Sequence, residues 1–296
     1  MSKIVTWSTS KYSESGTAHE TDSLFFADDV IRYWKFKSPF SIKFCLDDAL
    51  RYIVGNQKIT VPSGGFFITN GGTEMECLPN NPGVKALIVF FTNDLIHDVC
   101  RNNCLDEKSL LDTPDADAEP VRFFEHIYRH PNPLSAQLQP LAQQMSFSGE
   151  TNPRLMPDIF YGLAENLLAL QRDTSSRIRQ LNARTPATRE ELFRRVLWAK
   201  EFMEDCWQAE LSLHEIARQT CLSPYHFHRS FREAFGHSPM KWFRQLKLQK
   251  AKEMLAARQM TVTQVALNCG FSDVFSFSKA FKREWGVNPS AIGPPA

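Results

Sequence analysis

Residues 211–239 (LSLHEIARQTCLSPYHFHRSFREAFGHSP) recur in altered form as residues 260–289 (MTVTQVALNCGFSDVFSFSKAFKREWGVNP), and this repeat restricts the fold more than any other feature of the 296-residue chain. Leu213, Ile216 and Ala217 align with Val262, Val265 and Ala266 at an offset of 49 residues. Phe227, Arg229, Phe231, Phe235, Gly236 and Pro239 align with Phe277, Lys279, Phe281, Trp285, Gly286 and Pro289 at an offset of 50. The one-residue slip between the two sets marks a turn, where an added residue costs little. Each copy therefore predicts a short helix, a turn and a second helix, which is a helix-turn-helix unit used twice.

Helix starts around the repeat are signposted. Thr188, Ser212 and Thr261 are followed three residues later by Glu191, Glu215 and Gln264, the pattern of a capping box. Ser223, Ser238 and Asn288 each precede a proline, a cap residue followed by a first helical position that lacks an amide hydrogen. Seven short helices are expected beyond residue 188, with a longer one at residues 240–257 between the copies. At about 100° per residue, Phe227, Phe231, Ala234 and Phe235 share one face of the second helix in the first copy. Tyr225, Arg229 and Arg232 lie opposite, with His228 on the flank. In the second copy Phe277, Phe281 and Trp285 form the inner face, Phe275, Lys279 and Lys282 lie opposite, and Ser278 is on the flank. Cations and aromatic groups on a stiff helix suit major-groove reading: an arginine can donate twice to guanine, and an apolar group can meet the thymine methyl. A rigid spacer would set two such helices about one duplex turn, ~34 Å, apart.

The front of the chain reads differently. Apolar and aromatic runs between residues 21 and 91, among them SIKFCL, ALRYIV and VKALIVFF, alternate with turn signals at Gly55-Asn56, Pro62-Ser63-Gly64-Gly65 and Asn70-Gly71-Gly72. Regular short strands with Gly-rich turns predict a sandwich or a small barrel. Helices are expected at residues 93–101, 134–147 and 157–172. The last carries Ile159, Phe160, Leu163, Leu167 and Leu170 on one stripe, suited either to its own barrel or to a second copy of the chain. Residues 106–120 read as an acidic loop. Charge divides along the same line: residues 1–183 hold 17 Lys and Arg against 22 Asp and Glu, a net of −5, whereas 184–296 hold 17 against 11, a net of +6. A basic rear half suits a polyanion. Seven scattered cysteines fit reduced thiols better than a disulfide framework. The N-terminus has no apolar signal core, and no window approaches the ~18 apolar residues of a membrane span. The expectation is a cytoplasmic protein with no membrane partner.

Residues 188–293 resemble the DNA-binding domain of the AraC/XylS family of regulators, through SLHEIA, SPYHFHRSFREAFGHSP, KLQKAKEML, VTQVALNCGFSD and FSFSKAFKREWGVNPSAI. The front is similar to the cupin-type sensor barrel common in that family, through its turn pattern and Pro62-Ser63-Gly64-Gly65-Phe66-Phe67. The resemblance implies an α+β multidomain chain. A cupin-like β-barrel with helices at 1–173 would sense an effector and dimerise, and residues 174–188 would form a linker. An all-α DNA-binding domain at 189–296 would hold helix-turn-helix units at 212–235 and 261–285, joined by a long helix. Base contacts are then expected from Tyr225, His228 and Arg229 in the first copy and from Val274, Phe275, Ser278 and Lys279 in the second. Arg232 and Lys282 complete the two outward faces. Double-stranded DNA, a small effector, RNA polymerase and a second copy of the chain are the implied partners, and promoter activation the usual outcome. Four positions depart from the family pattern. Cys221 stands where glycine is frequent. Lys247 replaces the arginine usual in the spacer helix, which implies a weaker phosphate contact. Val274 and Phe275 are less polar than usual, which implies that the second copy relies more on shape and backbone contacts.

Other classes fare worse. A cupin enzyme holds a metal with several histidines and a carboxylate. No histidine lies between His19 and His97, so no catalytic residue, resident metal or cofactor is assigned. His97, Cys100 and Cys104 recur at i, i+3 and i+7, close to Asp94, a spacing that would also serve a metal- or thiol-responsive regulator. The competing reading packs these cysteines as small apolar residues. A pure interaction protein would lack salt-dependent affinity for DNA. Trp34 and Phe66 either line a pocket or fill the core.

Overall fold

The computed structural model describes residues 3–7, 22–27, 33–104, 121–129, 131–148 and 152–292, so the expected acidic loop at 106–120 lies outside the described residues. The chain divides into two compact units, Met1–Thr174 and Ser175–Ala296.

The first unit is built on ten described strands: β1 (Lys3–Trp7), β2 (Ser23–Ala27), β3 (Trp34–Ser38), β4 (Ser41–Cys45), β5 (Ala49–Val54), β6 (Gln57–Pro62), β7 (Phe66–Thr69), β8 (Thr73–Cys77), β9 (Ala86–Phe90) and β10 (Ile127–Tyr128). They form a six-stranded sheet in the order β1-β2-β9-β4-β7-β10 and a four-stranded sheet in the order β3-β8-β5-β6. The hairpin expected at Gly55-Asn56 is present: Val54 pairs with Gln57, and Gly55 takes φ 58°, the left-handed value such a loop demands.

Strand alternation explains the packing. Ile42 and Phe44 of β4, Phe66 and Ile68 of β7, and Leu87 and Val89 of β9 join a core shared with three helices, α1 (Asn93–Cys104), α2 (Pro133–Ser148) and α3 (Met156–Gln180). The intervening residues Cys45, Phe67 and Ala86 join Leu50, Tyr52, Val61, Met75 and Cys77 of the other sheet. The six-stranded sheet is thus covered on both faces, which is why SIKFC is buried at every position. Sheets packed in this way do not close into the expected barrel. Among the described residues β1 and β10 remain edges of one sheet, and β3 and β6 of the other. β10 has only two residues and does not pair with β6, three of whose six residues are exposed, so the two edges do not join into a ring.

The stripe on α3 serves its own unit. Phe160, Leu163 and Leu167 are buried, and Ile159 and Leu170 pack on the same core. Each fully buried side chain there contributes roughly 1.5–3 kcal/mol. Phe66, one of the two residues that could have lined a pocket, is fully buried core.

One core residue is a lysine. Lys43 alternates onto the inter-sheet face of β4 and is 1% exposed. Its Nζ donates to Ser38 Oγ at 2.9 Å, Ser41 Oγ at 2.8 Å and Thr69 Oγ1 at 2.7 Å. Those hydroxyls donate away from it, Ser38 and Ser41 to the Pro39 carbonyl and Thr69 to the Ser41 carbonyl, leaving lone pairs aimed at the amine. Burial pulls the amine down to about 7, opposed by the charge of Glu125 and by Cys77. The Cys77 thiol is itself pushed up to about 12 by burial.

The second unit is helical, with α4 (Pro186–Asp205), α5 (Leu213–Gln219), α6 (Pro224–Phe235), α7 (Pro239–Ala256), α8 (Val262–Asn268), α9 (Val274–Trp285) and a single 3-10 turn, Pro289–Ala291, where the last expected helix lay. The segment expected as a linker is helical up to Gln180 and restarts at Pro186. Thr188 does not cap α4. Thr185 does, accepting from the Thr188 amide at 3.1 Å, because Pro186 pre-sets the first helical position. The reciprocal capping boxes at Ser212/Glu215 and Thr261/Gln264 are both formed. Ser238 and Asn288 occupy cap positions without a side-chain cap bond.

Candidate nucleic-acid interface

The outward faces rest on buried rings. In α6, Phe227 and Phe231 are fully buried with centroids 5.7 Å apart; in α9, Phe277 and Phe281 repeat this at 5.5 Å. Ser223 caps α6 by accepting from the His226 amide. Asp273 caps α9 by accepting from the Ser276 amide and hydroxyl, both at 2.7 Å, and the Ser276 hydroxyl is the main cause that holds its carboxyl below the usual range. Sequence reading missed this cap, although Asp-x-x-Ser opening a helix signals it. Both helices end on glycines in the left-handed region, Gly236 at φ 76° and Gly286 at φ 75°.

On these supports stand the expected residues. Tyr225 and Phe275 are each 78% exposed, and Val274 is 39% exposed. Arg229, Arg232, Lys279 and Lys282 are all at least partly open to solvent, whereas His228 and Ser278 lie on the flanks. Arg229 is held within its own helix: its Nε donates to Glu233 Oε1 at 2.9 Å.

The two turns are the same device. The Leu222 amide reaches back to the Ala217 carbonyl, and the Phe271 amide to the Ala266 carbonyl, each five residues away. Such a return needs a left-handed residue. Gly270 supplies it in the second copy at φ 67°, and Cys221 supplies it in the first at φ 54°, a rare value for a residue with a Cβ. The extra residue of the second copy, Ser272, falls between this return and the Asp273 cap.

Lys247 is placed differently from its family expectation. It is 7% exposed, not on the surface, and its Nζ donates to the Ala209 carbonyl at 2.9 Å and lies 4.8 Å from the Phe243 ring centre. Burial lowers its affinity for a proton. The Ala209 carbonyl belongs to the segment joining α4 to α5, while α7 packs on α8 and α9. A Cβ on Gly270 would stand 2.8 Å from this Nζ and 2.7 Å from the Gln208 carbonyl oxygen. Lys247 therefore ties α7 to the segment before α5, beside the turn of the second copy, and its amine is engaged inward, in keeping with the weaker phosphate contact expected of it. Gln245 adds a second tie, donating to Glu284 of α9 at 3.0 Å.

On α1, His97 and Cys100 are half-buried, and Cys100 packs against the core of its unit. Among the described residues no group of three His, Cys, Asp or Glu side chains could hold a metal ion, and no described helix is long and apolar enough to cross a membrane.

Two linked helix-turn-helix units braced by a shared helix define residues 175–296 as a tandem helix-turn-helix domain. A family model described as "Helix-turn-helix domain" matches residues 216–293. The HTH-type transcriptional activator RhaS of Escherichia coli O139:H28 is 34% identical over 91 residues, 31% of this chain and 33% of that relative. The chain thus matches about a third of the length of these curated relatives. A solved probable AraC family transcriptional regulator from Rhodopseudomonas palustris is 29% identical, covering 33% of this chain and 94% of that one with a TM-score of 0.32. A solved structure of ToxT from Vibrio cholerae covers 92% of this chain and 96% of its own at 9% identity and a TM-score of 0.31. Residues 216–293 thus form a helix-turn-helix domain similar to those of these regulators.

Proposed function

We propose that this protein is a transcription regulator that reads double-stranded DNA through α6 and α9, with Tyr225, His228, Arg229, Arg232, Val274, Phe275, Ser278, Lys279 and Lys282 at the interface. The observation that carries the reading is the duplicated display of cations and aromatic residues on two helices whose opposite faces are locked by buried phenylalanine pairs. The spacer α7 has 18 residues, ~27 Å of helix, a length suited to holding the two displays for adjacent grooves. Arg229 offers a bidentate fork for guanine. The second copy, with Phe275 at its tip and lysines behind, suits a thymine methyl and phosphates.

The name of the RhaS relatives, transcriptional activator, supports activation as the outcome; RNA polymerase is the protein partner by family likeness alone. By family likeness the first unit takes the role of a cupin-like sensor for a small effector and pairs with a second copy of the chain. Selection of bound duplexes from a random library, followed by titration of the enriched duplex over a range of salt concentrations, tests the reading. Affinity must fall on a log–log line with a slope of about −0.9 per phosphate contacted. Equal affinity for every duplex, or affinity indifferent to salt, refutes it.

A further inference from the structure

We infer that Glu233 is a positioning residue that aims Arg229 at its base and ties that aim to the chain segment entering the DNA-binding unit. The inference rests on the DNA-reading assignment above and adds a residue to it.

Glu233 sits where helix electrostatics disfavour a carboxylate. It lies in the last turn of α6, next to the partial negative charge of the helix end. It is the C-terminal partner of an Arg–Glu pair at i, i+4, the weaker of the two orders. It also belongs to a helix proposed to approach phosphates. A carboxylate so placed needs a local reason, and its two oxygens supply one. Oε1 accepts from Arg229 Nε at 2.9 Å, and Oε2 accepts from the main-chain amide of Asn182 at 3.1 Å. The second bond fixes the carboxylate to the backbone between α3 and α4, so the ion pair is anchored, unlike an ordinary surface pair of two swinging side chains.

The chosen edge of the guanidinium matters. Binding at Nε restrains the head group and leaves both Nη groups outside any hydrogen bond among the described residues. Those two groups form the fork that meets the O6 and N7 atoms of guanine. An arginine held in this way gives up less side-chain entropy on binding and has fewer ways to reach a wrong base.

The Asn182 contact belongs to a small docking site. Arg177 Nη1 donates to the Ala234 carbonyl at 3.2 Å, and its guanidinium lies 5.5 Å from the Phe235 ring centre. Leu181 between them is buried. Residues 177–182 are therefore seated on the C-terminal turn of α6, and Glu233 converts that seating into the position of Arg229. The second copy lacks the device. Arg283 stands in place of Glu233, fifty residues on, and Lys279 in place of Arg229. Discrimination between bases is accordingly concentrated in the first copy.

The test uses the full chain, the duplex enriched by selection, and its single-base variants, with Glu233→Ala, Glu233→Gln, Arg229→Ala and the Arg229→Ala/Glu233→Ala double variant. Thermal unfolding confirms that each folds. Glu233→Ala is expected to lower discrimination by about tenfold at the one base pair that Arg229→Ala also relaxes. Binding to unrelated duplexes should hold or rise, because a negative charge has been removed. Glu233→Gln should fall between, and Glu233→Ala should have no further effect on discrimination when Arg229 is already absent. Unchanged discrimination in a folded Glu233→Ala variant, or a loss spread evenly over all base pairs, overturns the inference while leaving the DNA-reading assignment intact. Failure of the unmodified protein to enrich any duplex overturns both.

Discussion

Replacing Lys43 by methionine should remove a specific pH dependence from the stability of the first unit. Lys43 is fully enclosed between the two sheets, and burial takes its amine from 10.5 to about 7. At 1.36 kcal/mol per unit, this displacement corresponds to a penalty of about 5 kcal/mol for keeping the charged form in the folded protein. Below pH 7 the amine is protonated in both folded and unfolded chains, and the whole penalty is present. Between pH 7 and 10.5 the folded form has released the proton while the unfolded chain still binds it, so stability rises with pH by about 1.4 kcal/mol per unit. Above 10.5 the penalty has gone. Methionine cannot titrate, and the hydroxyls around it keep their carbonyl acceptors at Pro39 and Ser41. Urea unfolding of both proteins by circular dichroism, at about pH 6, 7, 8 and 9, isolates the effect, because every other titrating group is common to the pair. The stability of the native chain relative to Lys43→Met should be nearly level from about pH 6 to 7. It should then climb by about 3 kcal/mol by pH 9. A difference that stays flat throughout would mean that Lys43 keeps its proton or meets water, and the enclosed site described here would be wrong.

Further substitutions probe the second unit. Cys221→Gly relieves a left-handed non-glycine residue at an exposed turn and should stabilise the fold by about 1 kcal/mol in urea titration. Gly270→Ala faces the same φ penalty plus contacts at 2.7 Å and 2.8 Å, and should cost more than the ~1–2 kcal/mol of backbone strain alone. Arg229→Ala should weaken binding to the selected duplex by ~1–3 kcal/mol and relax one base position, measured by fluorescence anisotropy. Lys282→Ala should weaken all duplexes alike and reduce the salt slope by about one.

The sequence exposed most of the second unit and less of the first. Helix caps, turn length and the inner face of each reading helix are local properties, so the repeat alone placed Phe227, Phe231, Phe277 and Phe281 inside. Capping by Thr185 in place of Thr188 shifted one boundary because Pro186 outweighed a later capping-box pattern. Lys247 and Lys43 were illegible for a shared reason. A lysine on an amphipathic element reads as solvent-facing unless something distant covers it, and here the cover is a carbonyl 38 residues away in one case and a second sheet in the other. Strand number and turns left a sandwich or a ring open, and only the family resemblance favoured closure; pairing at sheet edges is a long-range property that turn spacing does not encode.

The ties that Lys247 and Gln245 make from α7 predict that the second unit acts as a ruler of fixed length. Lys247 joins α7 to the segment before α5, Gln245 joins α7 to α9, and Gly270 packs close to Lys247 and Gln208, so α6 and α9 are expected to turn together. A target whose two recognition patches are pushed apart by about five base pairs presents the second patch on the far side of the duplex. Such a spacing mutant can be gripped at one patch only, however perfect both remain.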